Sequence, residues 1–168
     1  GAQLHWVTTV GDSAERLQEA LEIAESRCDV VLLTGGLGPT HDDVTKNIVC
    51  DYFDSKLVLN EEVLEHIKER FRKRGFEMAK VNEEQAQVPH NADIMKNELG
   101  TAPGMIFRRN NKTVFVMPGV PREMKAMMRN YVLPEIKTNL NDQVVLVKNF
   151  MTTGVPESTL YEQINNLN

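Results

Sequence analysis

The chain has 168 residues, 41% of them hydrophobic, with 24 acidic against 19 basic side chains and a net charge of -5. That length suits one domain burying about 70% of its unfolded surface without staples, and the acidic balance, with basic residues scattered except from Lys68 to Arg74, disfavours a nucleic-acid surface. No apolar run reaches the roughly 18 residues of a membrane span, no signal peptide opens the sequence, and Cys28 and Cys50 form neither a Cys-x-x-Cys pair nor a metal-ligand spacing, so the expectation is a cytoplasmic protein with reduced thiols and no membrane partner.

Leu4 to Val10 reads as a strand, and Gly11-Asp12 turns it into a helix with Asp12 as cap and Glu15 at the capping-box spacing. Leu17, Ala20, Leu21 and Ala24 form that helix's buried stripe. Asp29 to Thr34 is short, apolar and β-branched, as expected of a strand buried on both faces of a parallel sheet. A glycine turn follows, then a helix with Val44, Ile48, Val49 and Tyr52 at helical spacing. This alternation of strand and helix marks an α/β layer fold.

Asn60 caps a further helix with Val63, Leu64, Ile67 and Phe71 inward, and Gly75 stops it; its charge run reads as a solvated face. Val81 to Ala92 is irregular, with a short helical turn at residues 82–86 and Pro89 as a breaker. Gly104 to Arg109 and Thr113 to Met117 read as strands joined by an Asn110-Asn111 hairpin turn. Pro121 opens a helix whose Met124, Met127, Met128 and Tyr131 face the core. Val144 to Val147 is another strand, and Gly154 to Ser158 leads into a brief final helix.

The segment Thr34-Gly35-Gly36-Leu37-Gly38-Pro39-Thr40-His41-Asp42-Asp43-Val44-Thr45 carries the most chemistry. Gly36 and Gly38 leave no side chain between backbone N–H groups and a ligand, so a phosphate can approach the following helix closely. The same pattern also serves as a plain strand-to-helix turn. Asp42 and Asp43 stand at the helix start, where one can act as the cap but not both. A phosphate within about 4 Å of either would be repelled by on the order of 4 kcal/mol at an effective dielectric near 20. The turn holds no Lys, and Lys46 is the nearest cation in sequence, so a phosphate ligand needs a bridging divalent cation or positive charge from elsewhere. Asn82, Gln85, Asn97 and Thr101 are uncharged partners for a base or ribose, and Glu123 lies beside Pro118-Gly119. Of the four histidines, His41 alone adjoins the aspartates.

These segments resemble the N-terminal domain of the competence/damage-inducible protein A (CinA) family, within the wider molybdenum-cofactor-biosynthesis fold of the MogA and MoaB proteins. The resemblance rests on Val10-Gly11-Asp12, Thr34 to Thr45, Asn82 to Ala86, Asn97 with Gly100 to Gly104, Met117 to Met124, and Gly154 to Ser158. It implies a three-layer α/β/α sandwich with a mostly parallel central sheet over residues 1–137, and the start of a small second α+β domain over 138–168. The implied ligand site comprises Thr34, Gly35, Gly36, Gly38, Thr40 and Thr45 with Asn82, Gln85, Asn97, Thr101, Pro118, Gly119 and Glu123. Asp43 and Asp42 are the implied catalytic and metal-binding carboxylates. The implied activity is a divalent-metal-dependent pyrophosphatase, using Mg, Co or Mn, on ADP-ribose or a similar dinucleotide, in a homodimer. The alternatives are a molybdopterin- or nucleotide-binding module without hydrolysis, and a structural domain that associates with itself. The family pattern begins with a further strand, a Gly-x-Glu-Leu-Leu loop and a helix, which do not occur in this sequence.

Overall fold

The structure is a computed structural model that describes residues 2–40, 42–139 and 151–165. It divides into two compact units, Ala2–Asn139 and a unit from Leu140 onward. In the first unit the elements are α1 (Ala14–Arg27), β1 (Val30–Thr34), α2 (Thr45–Tyr52), β2 (Leu57–Leu59), α3 (Glu61–Lys73), β3 (Gln87–Pro89), β4 (Asp93–Met95), β5 (Gly104–Arg109), β6 (Lys112–Met117), α4 (Pro121–Met127) and α5 (Leu133–Asn139). A π-helical turn, Met128–Val132, joins α4 to α5. The second unit contains α6 (Glu157–Asn165), where the sequence places its final helix. The expected strand Val144 to Val147 lies outside the described residues.

The central sheet runs β1-β6-β5-β4. β1 pairs with β6 in parallel, while β5/β6 and β4/β5 are antiparallel. The period-two alternation of β5 and β6 explains the layers. Met105, Phe107, Val114 and Val116 point to one face and join Leu17, Leu21, Ile48, Val49 and Phe53 from α1 and α2. Ile106, Phe115 and Met117 point to the other and join Met127 and Val132, with Met124, Met128, Tyr131 and Ile136 packed around them. Each fully buried side chain of this size contributes about 1.5–3 kcal/mol. Helices thus cover both faces of the sheet, and the methionines fill the core.

Local signals set several boundaries. The Asn60 side chain accepts from the Val63 N–H at 3.0 Å, satisfying one orphan donor of α3. Asn110 and Asn111 take φ of +52° and +64°, the left-handed pair that a two-residue hairpin requires. Pro121 occupies the first turn of α4, where its missing N–H costs nothing.

Four expectations are corrected. Residues 4–10 form no strand: among the described residues no strand lies beside them to take their hydrogen bonds, and Leu4 and Val7 are 80% and 81% exposed. α1 starts at Ala14 behind Ser13 rather than at an Asp12 cap. β1 is the edge of the sheet and is not buried on both faces: Val31 and Leu33 pack on the core, while Val30 and Leu32 are 37% and 41% exposed. Neither Asp42 nor Asp43 caps α2, whose N-cap position is Val44. The irregular stretch also contains more order than its composition suggests. Two 3-10 turns, Lys80–Asn82 and Glu84–Ala86, lead into β3, which pairs antiparallel with β2.

Candidate functional site

Parallel pairing of β1 with β6 places Thr34 opposite Met117, so the two loops that follow these strands emerge side by side at the carboxyl ends. Ligands of open α/β sheets bind at this end. The Gly35 N–H donates to the Met117 carbonyl at 2.9 Å, and a Cβ on Gly119 would lie 3.2 Å from the Gly35 Cα. Gly36 has φ of +65°, and a Cβ there would fall 2.1 Å from the Thr45 Oγ1. The glycines therefore let two loops and the first turn of α2 close against one another.

Between the loops lies a cavity of about 440 Å³. Of the residues expected from sequence, Gly36, Gly38, Asp43, Gln85, Thr101, Pro118, Gly119 and Glu123 line it. Asp42, Thr34, Gly35, Thr40, Thr45, Asn82 and Asn97 are not in its wall. Asp42 is exposed. Thr40, Thr45 and Asn97 act one step back, holding residues that do line the wall.

Asp43 is fixed by its own loop. The Thr40 N–H donates to Asp43 Oδ2 at 3.1 Å and the Thr40 hydroxyl donates to the same oxygen. Burial pushes the Asp43 carboxyl up, but the hydrogen bonds from Thr40 side chain and backbone and from the Gly38 backbone outweigh it, leaving the group below the usual carboxylate range. An acid held ionised in this way is an acceptor and a fixed negative charge rather than a proton shuttle.

Glu123 also lines the cavity, and Asn97 holds it from behind. Asn97 Nδ2 donates to Glu123 Oε2 at 2.8 Å and to the Ala102 carbonyl at 2.8 Å. Its Oδ1 accepts from the Leu99 N–H at 3.1 Å and the Gly100 N–H at 2.8 Å. The His66 ring donates to the Asn97 carbonyl at 2.8 Å. One buried amide thus orders the whole turn from residue 97 to 102 and the first turn of α4. Gln85 is 3% exposed, and its Oε1 has no hydrogen-bond partner. An orphaned buried acceptor in a cavity wall calls for a donor from a ligand or water.

Among the wall residues that sequence reasoning missed, three are charged: Arg70, Arg74 and Arg122. The run from Lys68 to Arg74 is only partly a solvated face. Arg70 donates to the Glu98 carbonyl at 3.0 Å and also to the Leu99 carbonyl. The spacing of Arg70 and Arg74, four apart and so on one side of a helix, was the available signal. Lys46, the nearest cation in sequence, is used elsewhere: its Nζ donates to the Glu84 carbonyl at 2.5 Å, tying α2 to the turn that carries Gln85. Burial lowers the pKa of that ammonium.

The described residues hold no preformed protein cage for a divalent ion. Asp42 is exposed and one Asp43 oxygen is engaged by Thr40, and among the described residues no three His, Cys, Asp or Glu side chains converge on a point where a metal could be held.

Residues 1–138 match the family model described as "Probable molybdopterin binding domain". The chain belongs to this family. Two relatives named "CinA-like protein", from Dictyoglomus turgidum and Dictyoglomus thermophilum, are each 42% identical to it over 167 residues. Those alignments cover 99% of this chain and 40% of each relative, so the chain spans well under half of the relatives' length. The crystal structure of the protein CinA from Thermoplasma acidophilum, titled as of unknown function, is 31% identical with a TM-score of 0.64, covering 73% of this chain and 72% of that one. The α/β fold is therefore that of a CinA-like molybdopterin-binding-type domain, and no helix among its described residues is long and apolar enough to cross a membrane.

Proposed function

We propose that the cavity between the two loops binds a nucleotide or pterin that carries phosphate groups, and that the chain cleaves ADP-ribose or a similar dinucleotide there. The observation that carries this reading is Asp43, an ionised carboxylate locked by Thr40 in the wall of a cavity at the carboxyl ends of β1 and β6. The orphaned Gln85 Oε1 in the same wall is ready to accept from a ribose hydroxyl or a ring N–H. The name of the matched family and the CinA-like relatives support a ligand of this kind.

In the hydrolytic reading, water adds to one phosphorus of the anhydride and the bond from that phosphorus to the bridging oxygen breaks. AMP and ribose 5-phosphate leave, and the water's remaining protons pass to the released phosphate and solvent. Asp43 orients the ligand or the attacking water as an acceptor, and Glu123, held by Asn97, faces the same space. Assays with and without magnesium, cobalt or manganese read whether the reaction needs a divalent ion.

Purified protein incubated with ADP-ribose should release AMP, and Asp43→Asn should remove that activity with the fold intact. Binding of ADP-ribose by calorimetry with no AMP, beside an active CinA-like relative, would leave the non-hydrolytic module. That second reading draws on the exposure of Asp42, which deprives the wall of the second adjacent carboxylate. Neither binding nor turnover would overturn both.

A further inference from the structure

We propose that Arg70, Arg74 and Arg122 form a cationic subsite for the ligand's phosphate, so that phosphate binding needs no bridging divalent cation. This rests on the reading of the cavity as the site of a phosphorylated ligand, and it deepens that reading by naming which groups take the charge. Three arginines line the cavity beside two acidic residues, Asp43 and Glu123, in a chain whose net charge is -5. The cavity wall thus carries an excess of positive charge although the chain as a whole is acidic.

The three side chains come from the end of one helix and the start of another. Arg70 lies in the last turns of α3, Arg74 directly follows that helix, and Arg122 lies in the first turn of α4. Among the described residues none of them makes an ion pair. Arg70 is anchored through two backbone carbonyls, which fix its plane while leaving the charge uncompensated. Its pKa is lowered first by burial and then by the nearby charges of Arg74 and Arg122, with Glu123 opposing them. Like charges held this close favour an anion between them, and guanidinium forks match phosphate oxygens.

One oxygen of each carboxylate in the wall is already engaged. Thr40 occupies Asp43 Oδ2, and Asn97 occupies Glu123 Oε2. Gln85 Oε1 is buried without a partner, on a residue that lines the same cavity. A bare acceptor would not face a phosphate, so it serves a hydroxyl or N–H of the same ligand. Anion at the arginines and donor at Gln85 together describe a sugar phosphate or nucleoside phosphate rather than free phosphate.

The test is calorimetric titration of the whole chain with inorganic pyrophosphate and, separately, with ADP-ribose, both in EDTA. The wild type should bind both, more weakly as salt rises. Arg74→Ala and Arg122→Ala should each weaken binding at least tenfold, the Lys replacements should recover part of it, and Lys68→Ala, on the exposed side of α3, should change nothing. Unchanged melting temperatures exclude misfolding, and the Lys variants keep the test alive if an Ala variant does not fold. Pyrophosphate binding that appears only with added divalent cation, or that ignores the arginine substitutions, overturns the subsite. If ADP-ribose binds independently of the arginines, the nucleotide reading stands and the subsite falls. If pyrophosphate binding depends on the arginines but ADP-ribose binds no better and is not cleaved, the subsite stands and the nucleotide reading falls.

Discussion

The side-chain amide of Asn97 donates to Glu123 across 26 positions of sequence, at 2.8 Å and in a buried setting. That bond joins the turn after β4 to the start of α4, and the same amide satisfies three backbone groups of its own turn.

Asn97→Leu should therefore be destabilising by more than the loss of one contact. It strands the buried Glu123 oxygen and the Ala102 carbonyl, each costing about 1–3 kcal/mol when left unpaired. Urea denaturation should show the midpoint falling with the slope unchanged. A midpoint within error of the wild type would mean that the turn at 97–102 holds itself.

Asp43 gives a prediction with a definite sign. Its folded pKa lies below the ordinary carboxylate value, so the stability it contributes is present above about pH 4 and is lost as pH falls through the folded pKa. Thermal melts of wild type and Asp43→Asn should differ at neutral pH and converge in strong acid. A gap that widens on acidification would contradict the hydrogen bonding to Thr40.

Gly38→Ala isolates one contact. A Cβ there would lie 2.4 Å from Asp43 Oδ2, so the carboxylate must swing away from Thr40. Loss of those bonds should weaken ADP-ribose binding by about 1–2 kcal/mol, on the order of tenfold in Kd. Calorimetry at neutral pH would read this, and unaltered affinity would show that the position of Asp43 does not matter to the ligand.

A second polar cluster lies away from the cavity. Tyr52 donates to Glu25 Oε2 at 2.5 Å, and Arg109 bonds the same oxygen at 2.9 Å while its guanidinium sits 4.7 Å from the Phe53 ring centroid. Burial, then the bond to Glu25, pushes the Tyr52 phenol up to about 12. A raised folded pKa means that its stabilisation is complete below about pH 10 and fades as pH rises towards the folded value. Absorbance titration should show a late phenolate, absent in Tyr52→Phe. Arg109→Ala should cost about 1–2 kcal/mol, discounted because the arginine is half-exposed while Glu25 is buried.

What the sequence disclosed was mostly local. Asn60, Gly75, Asn110-Asn111 and Pro121 act on backbone within a few residues, so their effect can be read without knowing the fold. Gly104 to Arg109 and Thr113 to Met117 were legible as strands for the same reason, being apolar runs on either side of a turn signal. Leu4 to Val10 shows the limit: a run rich in β-branched residues specifies a strand only when a neighbour supplies its hydrogen bonds. Arg70, Arg74 and Arg122 escaped because their meaning comes from α3 and α4 meeting one cavity, a relationship no window of sequence contains. Likewise the two adjacent aspartates looked equivalent in sequence, and only the bond from Thr40 distinguishes Asp43 from its exposed neighbour.

The Asn110-Asn111 turn stands at the opposite end of β6 from Met117 and the cavity loops. Both asparagines are exposed, and the ladder beside them is closed by Arg109 and Lys112. That makes this corner the natural attachment point for a fluorophore or an immobilising tag, since a graft there disturbs neither loop and leaves the mouth of the pocket open to whatever ligand is being measured.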